Sequence, residues 1–188
     1  MRGIYKQLNP IVRGLLKNIK LIALDFDGVL TTNSVIHEQD GTEKVQRTRA
    51  DSFGIDLLDQ AGLYDKENYE NNSKEIDIII LSRETNPIVA GVAKKIKIKC
   101  SKGIYNKIGR FDEEVKKRNL SHSEVLFIGN DLNDLECIKK AGIGVAVADS
   151  WPQIKEAANY ITTKKGGHGA FREMCELVLY AKEAHPHP

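Results

Sequence analysis

Short apolar runs alternate with longer stretches of helical spacing along most of this chain. The clearest runs are Leu21–Leu24 and residues 76–81, 125–128 and 144–147. Unbroken apolar character over four to six residues is typical of strands buried on both faces of a parallel sheet. Apolar residues three and four positions apart predict helices between these runs. The alternation of strand and helix predicts an α/β fold with a parallel sheet and helices on both faces.

Weaker signals complete the predicted set of elements. Residues 97–100 and 160–162 predict two short edge strands, and a glycine-rich turn precedes a C-terminal helix over residues 170–183. Asp51 or Ser52 is the expected N-cap of the helix that follows the hairpin region, because both side chains can accept a hydrogen bond from a free backbone N–H. Trp151, beside a proline at a helix start, is interpreted as core packing.

Two segments are expected to project from the sheet. Residues 32–48 contain Asp40-Gly41 between extended stretches, which predicts a β-hairpin. This hairpin follows the first strand and is suited to act as a flap or as a contact between subunits. His37 within it is interpreted as a surface strand residue. Residues 64–74 are polar and rich in asparagine, which predicts an exposed loop.

The N-terminal residues 1–18 have apolar positions at roughly helical spacing, with Pro10 at a plausible early helical position. They predict a leader helix that packs on the body of the protein, which then spans residues 19–188. Internal repeats and linker-like tracts are absent from the sequence, so a single domain is expected.

The composition indicates which classes of partner and which compartment to expect. Among 188 residues, 28 are basic and 26 acidic, a formal net charge of +2. This balance gives no reason to expect a nucleic acid or an anionic membrane as partner. Cys100, Cys137 and Cys175 are widely spaced and odd in number, which indicates reduced thiols. With no signal-peptide core and no membrane-length apolar segment, a cytoplasmic location is expected.

Candidate chemistry begins where the first strand ends. Asp25 and Asp27 lie one residue apart, directly after Leu24 and before a glycine. Ligands of parallel α/β sheets bind outside the carboxyl ends of the strands. Two carboxylates at that edge repel each other unless a cation lies between them. Mg²⁺ is the usual hard cation beside phosphates, so a magnesium site is expected here.

Other strand ends add polar groups at the same edge. Ser82 follows the second strand of the sheet, Lys107 lies slightly downstream of the third, and Asn130 and Asp131 follow the fourth. A nucleophilic carboxylate, a hydroxyl, an ammonium and a metal-binding patch are what phosphoryl transfer to an aspartate requires. Asp134 has two interpretations that the sequence leaves open: a support behind the metal ligands, or a favourable charge at a helix N-terminus.

These residues resemble the signatures of a known family. The segment from Asp25 to Thr31 resembles the first signature of the haloacid dehalogenase superfamily, and Ser82, Lys107 and residues 129–134 are similar to its second, third and fourth. Within it, the chain resembles capless phosphatases of 3-deoxy-D-manno-octulosonate 8-phosphate and of nonulosonate 9-phosphates. Residues 81–87 are also similar to the phosphatase-like domain attached to some N-acylneuraminate cytidylyltransferases.

The resemblance implies a Rossmann-like fold without a cap domain, and specific roles for matching residues. Asp25 is the implied nucleophile, and Asp27 the implied general acid and base. Asp25, the Asp27 carbonyl and Asn130 are implied to hold Mg²⁺, with Asp131 as the alternative to Asn130. The residues implied to bind the phosphate are Ser82, Arg83 and Lys107.

The resemblance also implies the biology of the reaction. It implies a small-molecule sugar phosphate of lipopolysaccharide or sialic acid synthesis as substrate. It further implies a homotetramer in which a neighbour's hairpin and C-terminal segment help to cover the site. Which keto-sugar phosphate is used, and what residues 64–74 do, stay open.

Some positions depart from the family pattern. Asn130 stands where the family usually has an acidic residue, and His168 where arginine is common. Arg172 and Glu173 are interpreted as a structural pair or an interface. Because Asn130 removes one metal-binding charge, an alternative function also remains: a non-catalytic subunit of this fold that serves oligomerisation or regulation in nonulosonate activation.

Overall fold

The sheet is the centre of the fold and confirms the predicted class. The computed structural model describes residues 1–186; the last two residues of the predicted domain, 187 and 188, lie outside that range. Within it, six parallel strands pair in the order β5-β4-β1-β6-β7-β8. Their bounds are β1 (Leu21–Leu24), β4 (Asp77–Leu81), β5 (Lys99–Ser101), β6 (Val125–Gly129), β7 (Ile143–Ala146) and β8 (Tyr160–Ile161).

The register of the central strands explains why the candidate residues meet. β1 lies between β4 and β6, and Leu24 is paired with Ile80 on one side and with Ile128 on the other. The three strands therefore end at nearly the same level. Whatever follows them in sequence emerges at one edge of the sheet.

Helices cover both faces of the sheet, as predicted. Ile22 and Leu24 of β1 belong to one apolar cluster, and Leu21 and Ala23 to another, because successive strand residues face opposite sides. The helices are α1 (Arg2–Gln7), α2 (Pro10–Lys17), α3 (Arg49–Gln60), α4 (Ile88–Ile96), α5 (Lys107–Lys117), α6 (Leu135–Lys140), α7 (Pro152–Ala157) and α8 (Ala170–Ala181). Helices α2, α3, α4 and α8 contribute to the first cluster, and α5, α6 and α7 to the second.

The predicted hairpin is present and projects from the body. Its strands β2 (Val35–His37) and β3 (Glu43–Val45) pair antiparallel, with the turn at Gly41 in the left-handed region at φ 84°. His37 is exposed, as interpreted. Within residues 1–186 the hairpin is the regular structure inserted between β1 and α3, and no cap domain follows β1.

The N-terminal residues form two helices, so the prediction of a single leader helix is wrong. Pro10 begins α2, and the Asn9 side chain caps it by accepting a hydrogen bond from the Ile11 N–H at 2.8 Å. Proline at a first helical turn disfavours helical backbone at the residue before it, which ends α1. Val12 and Leu16 of α2 are buried in the main core.

Two further predictions, the N-cap of α3 and the buried position of Trp151, are wrong. Thr48 caps α3 through a hydrogen bond from the Ala50 N–H at 3.2 Å, so neither Asp51 nor Ser52 is the N-cap. The Asp51 side chain turns inward instead. Trp151 is 58% exposed at the start of α7, so it does not pack in the core.

The segment of residues 64–74 is largely polar surface with one short turn of 3₁₀-helix at Tyr69–Asn71. Its first residue is an exception, because Tyr64 is buried and its hydroxyl donates to the Lys97 carbonyl at 2.8 Å. All three cysteines are unpaired. Among residues 1–186, the helices are too short or too polar to cross a membrane.

Candidate active site

The first catalytic candidates lie on the loop that leaves β1. Asp25 is buried; its Oδ1 accepts the Phe26 N–H at 2.7 Å, and its Oδ2 lies 2.9 Å from the Lys107 ammonium. Asp27 is partly exposed, with Oδ1 3.4 Å from the Thr31 hydroxyl. The loop therefore fixes the Asp25 carboxylate with two polar contacts and leaves Asp27 partly exposed to solvent.

Lys107 connects two strand ends. It is the first residue of α5, and it is buried, with 3% of its surface exposed. Its ammonium lies 2.9 Å from Asp25 and 2.7 Å from Asp134. The Asn106 side chain caps α5 by accepting the Gly109 N–H at 3.1 Å, which fixes where the helix begins and hence where Lys107 points.

Asp134 supports this arrangement from below. Its second oxygen accepts the backbone N–H groups of Asn130 at 2.9 Å and Asp131 at 3.3 Å. Of the two interpretations left open by the sequence, these contacts favour a support behind the candidate metal ligands. Gly129 leaves the room for it, since a Cβ there would lie 2.5 Å from the Asp134 side chain.

Asn130 and Asp131 differ in how their oxygens are used. Asp131 accepts the Leu132 N–H at 2.6 Å and caps the short 3₁₀ turn Leu132–Asp134. Asn130 is buried, and its Oδ1 has no hydrogen-bond partner among residues 1–186. An orphaned buried oxygen near carboxylates is costly unless a cation or water meets it. The donor chemistry here fits Mg²⁺, which binds through one or two carboxylates and keeps several waters.

Gly28 makes this arrangement possible. Its φ of 76° lies in the left-handed region, and a Cβ at this position would come within 2.2 Å of the Asn130 amide nitrogen. Glycine thus permits both the turn after Asp27 and the approach of Asn130 to the loop. Groups of three or more His, Cys, Asp or Glu side chains placed to hold a metal are absent from the described residues. Beside the carboxylates, the orphaned Oδ1 of Asn130 is therefore a candidate ligand for a cation at this site.

Burial and neighbouring charges shift the pKa values of Asp25, Asp27 and Lys107. Burial, with the nearby charge of Asp134, raises the pKa of Asp25 to about 7 against the opposing effect of Lys107. Burial also raises the pKa of Asp27, and Glu84 adds to the effect. For Lys107, burial lowers the pKa, but the two carboxylates more than offset this and the pKa is raised. Lys107 thus stays charged, while Asp27 holds its proton more readily than an exposed aspartate.

An open cavity of about 430 Å³ lies over this cluster. Ser82 lines it and is buried, and its Oγ accepts the Glu84 N–H at 3.0 Å. Arg83 lines the wall with its guanidinium 5.6 Å from the ring centre of Tyr105. The cavity thus unites Asp25, Asp27, Ser82, Arg83, Asn130 and Asp131, while Lys107 lies beneath Asp25.

The sequence reasoning missed some cavity residues. Asn33, Thr85 and Asn133 also line the cavity. Each is a polar residue within a few positions of a predicted motif, and that proximity was the available signal.

The C-terminal candidates lie away from the cavity lining. Arg172 binds Glu176 at 2.6 Å, whereas Glu173 is buried against β8 and the following turn, so the predicted Arg172–Glu173 pair is wrong. His168 faces its own turn, with Nδ1 2.8 Å from the Gly166 carbonyl.

Comparisons with known proteins agree with this geometry. The profile of the haloacid dehalogenase-like hydrolases matches residues 17–174. The chain is 30% identical over 179 residues to the 3-deoxy-D-manno-octulosonate 8-phosphate phosphatase of Salmonella typhimurium, covering 95% of this chain and 88% of that protein.

Solved structures of phosphatases also superpose on this chain. The phosphatase of that name from Moraxella catarrhalis, in complex with magnesium ion, phosphate ion and a KDO molecule, superposes with a TM-score of 0.81 at 32% identity over 92% of each chain. The Yersinia pestis phosphatase gives a TM-score of 0.82 at 28% identity, over 93% of this chain and 88% of that one.

Proposed function

Because this chain belongs to the haloacid dehalogenase-like hydrolases, we propose that it is a Mg²⁺-dependent phosphatase that hydrolyses the phosphate ester of an acidic keto-sugar. One observation carries the proposal: a buried aspartate bonded to a buried lysine shares its cavity with a second aspartate and an orphaned amide oxygen. This combination supplies a nucleophile, a proton carrier and a cation site within one pocket.

Asp25 and Asp27 divide the chemistry. An Asp25 carboxylate oxygen attacks phosphorus in line, forming an O–P bond while the bond from phosphorus to the sugar oxygen breaks. Asp27 gives its proton to the departing sugar oxygen, a task that suits its raised pKa. Asp27 then takes a proton from water as that water attacks the aspartyl phosphate. Inorganic phosphate leaves, Asp25 is regenerated, and Asp27 is protonated again.

The groups around Asp25 and Asp27 are proposed to stabilise the negative charge of the phosphate. Ser82, Arg83 and Lys107 are the proposed partners of the phosphate oxygens, which gain and lose charge during transfer. Lys107, 2.9 Å away, favours the ionised form of Asp25 and opposes the burial that raises the pKa of this carboxyl. When bound by Asp25, the Asp27 carbonyl and Asn130, Mg²⁺ supplies positive charge that lets carboxylate and phosphate approach. The role of Asp131 as the structural cap supports Asn130 as the metal ligand of the two.

The named relatives support the substrate class. Both the curated relative and the Moraxella catarrhalis structure are phosphatases of 3-deoxy-D-manno-octulosonate 8-phosphate. We take this sugar phosphate as the leading candidate. Nonulosonate 9-phosphates of the sialate type are the second candidate, because they share its carboxyl group and terminal phosphate.

A shared active site is part of the proposal. The cavity is open, and the hairpin carries two exposed apolar side chains, Val35 at 47% and Ile36 at 58%. We propose a homotetramer in which a neighbour's hairpin and C-terminal segment cover the cavity. The three unpaired cysteines support a reducing compartment, the cytoplasm.

Phosphate release tests the function directly. The purified protein is assayed with and without Mg²⁺ on 3-deoxy-octulosonate 8-phosphate, sialate-type 9-phosphates and common hexose phosphates. We expect metal-dependent turnover that prefers one acidic keto-sugar. Asp25→Asn abolishes it, and Asp112→Asn, which changes an aspartate on the surface of α5, retains it.

Two outcomes would contradict the proposal. Full phosphate release by Asp25→Asn would remove the assigned nucleophile. Absence of turnover on every substrate, from a folded oligomer, would favour the non-catalytic regulatory subunit and identify Asn130 as a disabling change.

A further inference from the structure

The glycine-rich turn before α8 presses against the loop that carries Asp27. The Gly167 N–H donates to the Val29 carbonyl at 2.9 Å. A Cβ at Gly166 would lie 1.9 Å from the Gly28 carbonyl oxygen, and one at Gly167 would lie 2.3 Å from the Thr32 nitrogen. Gly167 also has a φ of 69°. The backbone of this turn therefore touches the catalytic loop along residues 28–32, at a distance that side chains would prevent.

The catalytic loop transmits that contact to Asp27. The carbonyl of Phe26 accepts the N–H groups of Leu30 and Thr31, which makes residues 26–31 one compact turn. The Thr31 hydroxyl lies 3.4 Å both from an Asp27 carboxylate oxygen and from the Gly28 nitrogen. A shift of the loop at Val29 therefore moves the Asp27 side chain.

The turn is itself held by one buried carboxylate. Glu173, in the first turn of α8, is fully buried. It accepts the Tyr160 hydroxyl at 2.7 Å, the Thr163 N–H at 2.9 Å, the Thr163 hydroxyl at 2.6 Å and the Lys164 N–H at 3.2 Å. These contacts lie two to six residues before Gly166. Glu173 thus joins α8, β8 and the beginning of the turn in one network.

We propose that Glu173 is a positioning residue for the hydrolysis, acting through residues 163–167 on the Asp27 loop. The buried Glu173 carboxylate accepts the backbone N–H groups of Thr163 and Lys164, so its loss leaves both groups without this partner. Asp149 completes the support by accepting the Gly166 N–H at 2.9 Å. The expected effect on kcat rests on the proposed phosphatase activity. The expected effect of Glu173 on the Asp27 loop does not depend on that activity.

Glu173→Gln is the sharpest single change. The amide keeps the size of the side chain but turns one acceptor oxygen into a donor, so at least one of the N–H groups loses its partner. We expect kcat to fall by roughly tenfold or more, because a misplacement of about 1 Å at a catalytic group costs about that much or more. KM stays within a few-fold of the original, since the phosphate-binding residues lie on other loops.

Matched variants separate positioning from folding. Glu176→Gln removes a carboxylate from the same helix, where it contacts Arg172 and not the turn, and is expected to retain kcat. Tyr160→Phe and Thr163→Val each remove one hydroxyl donor to Glu173, and each is expected to lower kcat by less than Glu173→Gln does. These two variants replace Glu173→Gln as the test if that protein fails to fold.

Amide hydrogen exchange supplies a readout besides turnover. Glu173→Gln is expected to speed exchange in residues 26–32 while β6 keeps its protection; Glu176→Gln changes neither. Unchanged kcat or unchanged exchange in residues 26–32 of a folded Glu173→Gln protein would overturn the inference. If the original protein releases no phosphate, the proposed function fails, and the exchange experiment still decides the coupling.

Discussion

Asn130 places a neutral amide among the carboxylates that line this cavity. Its buried Oδ1 is a neutral oxygen that accepts no hydrogen bond within the described chain. Metal affinity in oxygen sites rises with the number of charged ligands. We therefore predict that Asn130→Asp lowers the Mg²⁺ concentration for half-maximal phosphate release by about tenfold.

A matched variant tests whether position matters in this first prediction. Asn133→Asp adds the same charge to the cavity wall, on a residue that follows the Asp131 cap. It is expected to change the Mg²⁺ requirement much less. Equal shifts in the two variants would mean that the overall charge of the cavity sets the requirement, and Asn130 would lose its assignment as a ligand.

Asp51 provides a pH-dependent prediction away from the catalytic cluster. It is fully buried at the start of α3, and its Oδ1 accepts the Arg172 N–H at 2.9 Å at the start of α8. Burial raises the pKa of Asp51 to about 6. Since the unfolded chain releases this proton nearer pH 4, the folded state loses relative stability as pH rises from about 4 to about 6.

Asp51→Asn removes that loss while its amide oxygen can still accept the Arg172 N–H. The variant is expected to gain unfolding free energy over the original protein, and the gain is larger at pH 8 than at pH 5 by about 1 kcal/mol. Urea denaturation at both values measures it. Ser52→Ala, which removes no titratable group, should give a difference that does not vary with pH. A gain that is larger at pH 5 would reverse the sign and refute the argument.

At the scale of elements, the sequence predicted the strands better than their connections. Unbroken apolar runs identified β1, β4, β6 and β7 within one or two residues, because burial on both faces leaves no room for polar residues. Since parallel strands share one edge, the same runs predicted that Asp25, Ser82 and Asn130 meet. The Thr48 cap was missed because Asp51 and Ser52 are also suitable cap residues. The α1–α2 break was missed because the apolar spacing continues on both sides of Pro10.

Tertiary contacts explain the other misses. Trp151 is apolar but exposed at the start of α7, and Glu173 is charged but fully buried. Both reverse the usual relation of residue type to burial. Only the fold brings Tyr160, Thr163 and Lys164 to Glu173, and no spacing within the sequence encodes that meeting.

Tyr64 gives an element-scale prediction, because it attaches the polar segment of residues 64–74 to the end of α4. Its buried hydroxyl donates to the carbonyl of Lys97, a residue with φ of 61°. Tyr64→Phe leaves that carbonyl without its partner and is expected to lower the unfolding free energy by about 1–2 kcal/mol. Urea denaturation measures it. Tyr105→Phe, at a side chain that is 90% exposed, is the control with little effect. Equal losses would exclude the Tyr64 hydroxyl as an anchor.

At the scale of the whole molecule, the open cavity and the projecting hairpin are related, because the hairpin of a second copy could cover the cavity. A phosphatase without a cap exposes its substrate to solvent unless another chain covers it. Sequence patterns predict the hairpin from its own turn, but which surface it meets depends on a second copy. The apolar residues Val35 and Ile36 therefore connect assembly to catalysis in the proposed tetramer.

The Ile36→Glu variant tests that connection between assembly and catalysis. A buried charge in the proposed interface is strongly unfavourable, so the variant is expected to run as a smaller species in sedimentation velocity while its circular dichroism is unchanged. If the neighbour's hairpin helps to position the sugar, kcat/KM for the preferred sugar phosphate falls roughly tenfold. Ile11→Glu adds the same charge to a residue of α2 that is 71% exposed, and should alter neither property. A dissociated Ile36→Glu protein with full kcat/KM would separate assembly from catalysis, because each chain would then be complete on its own.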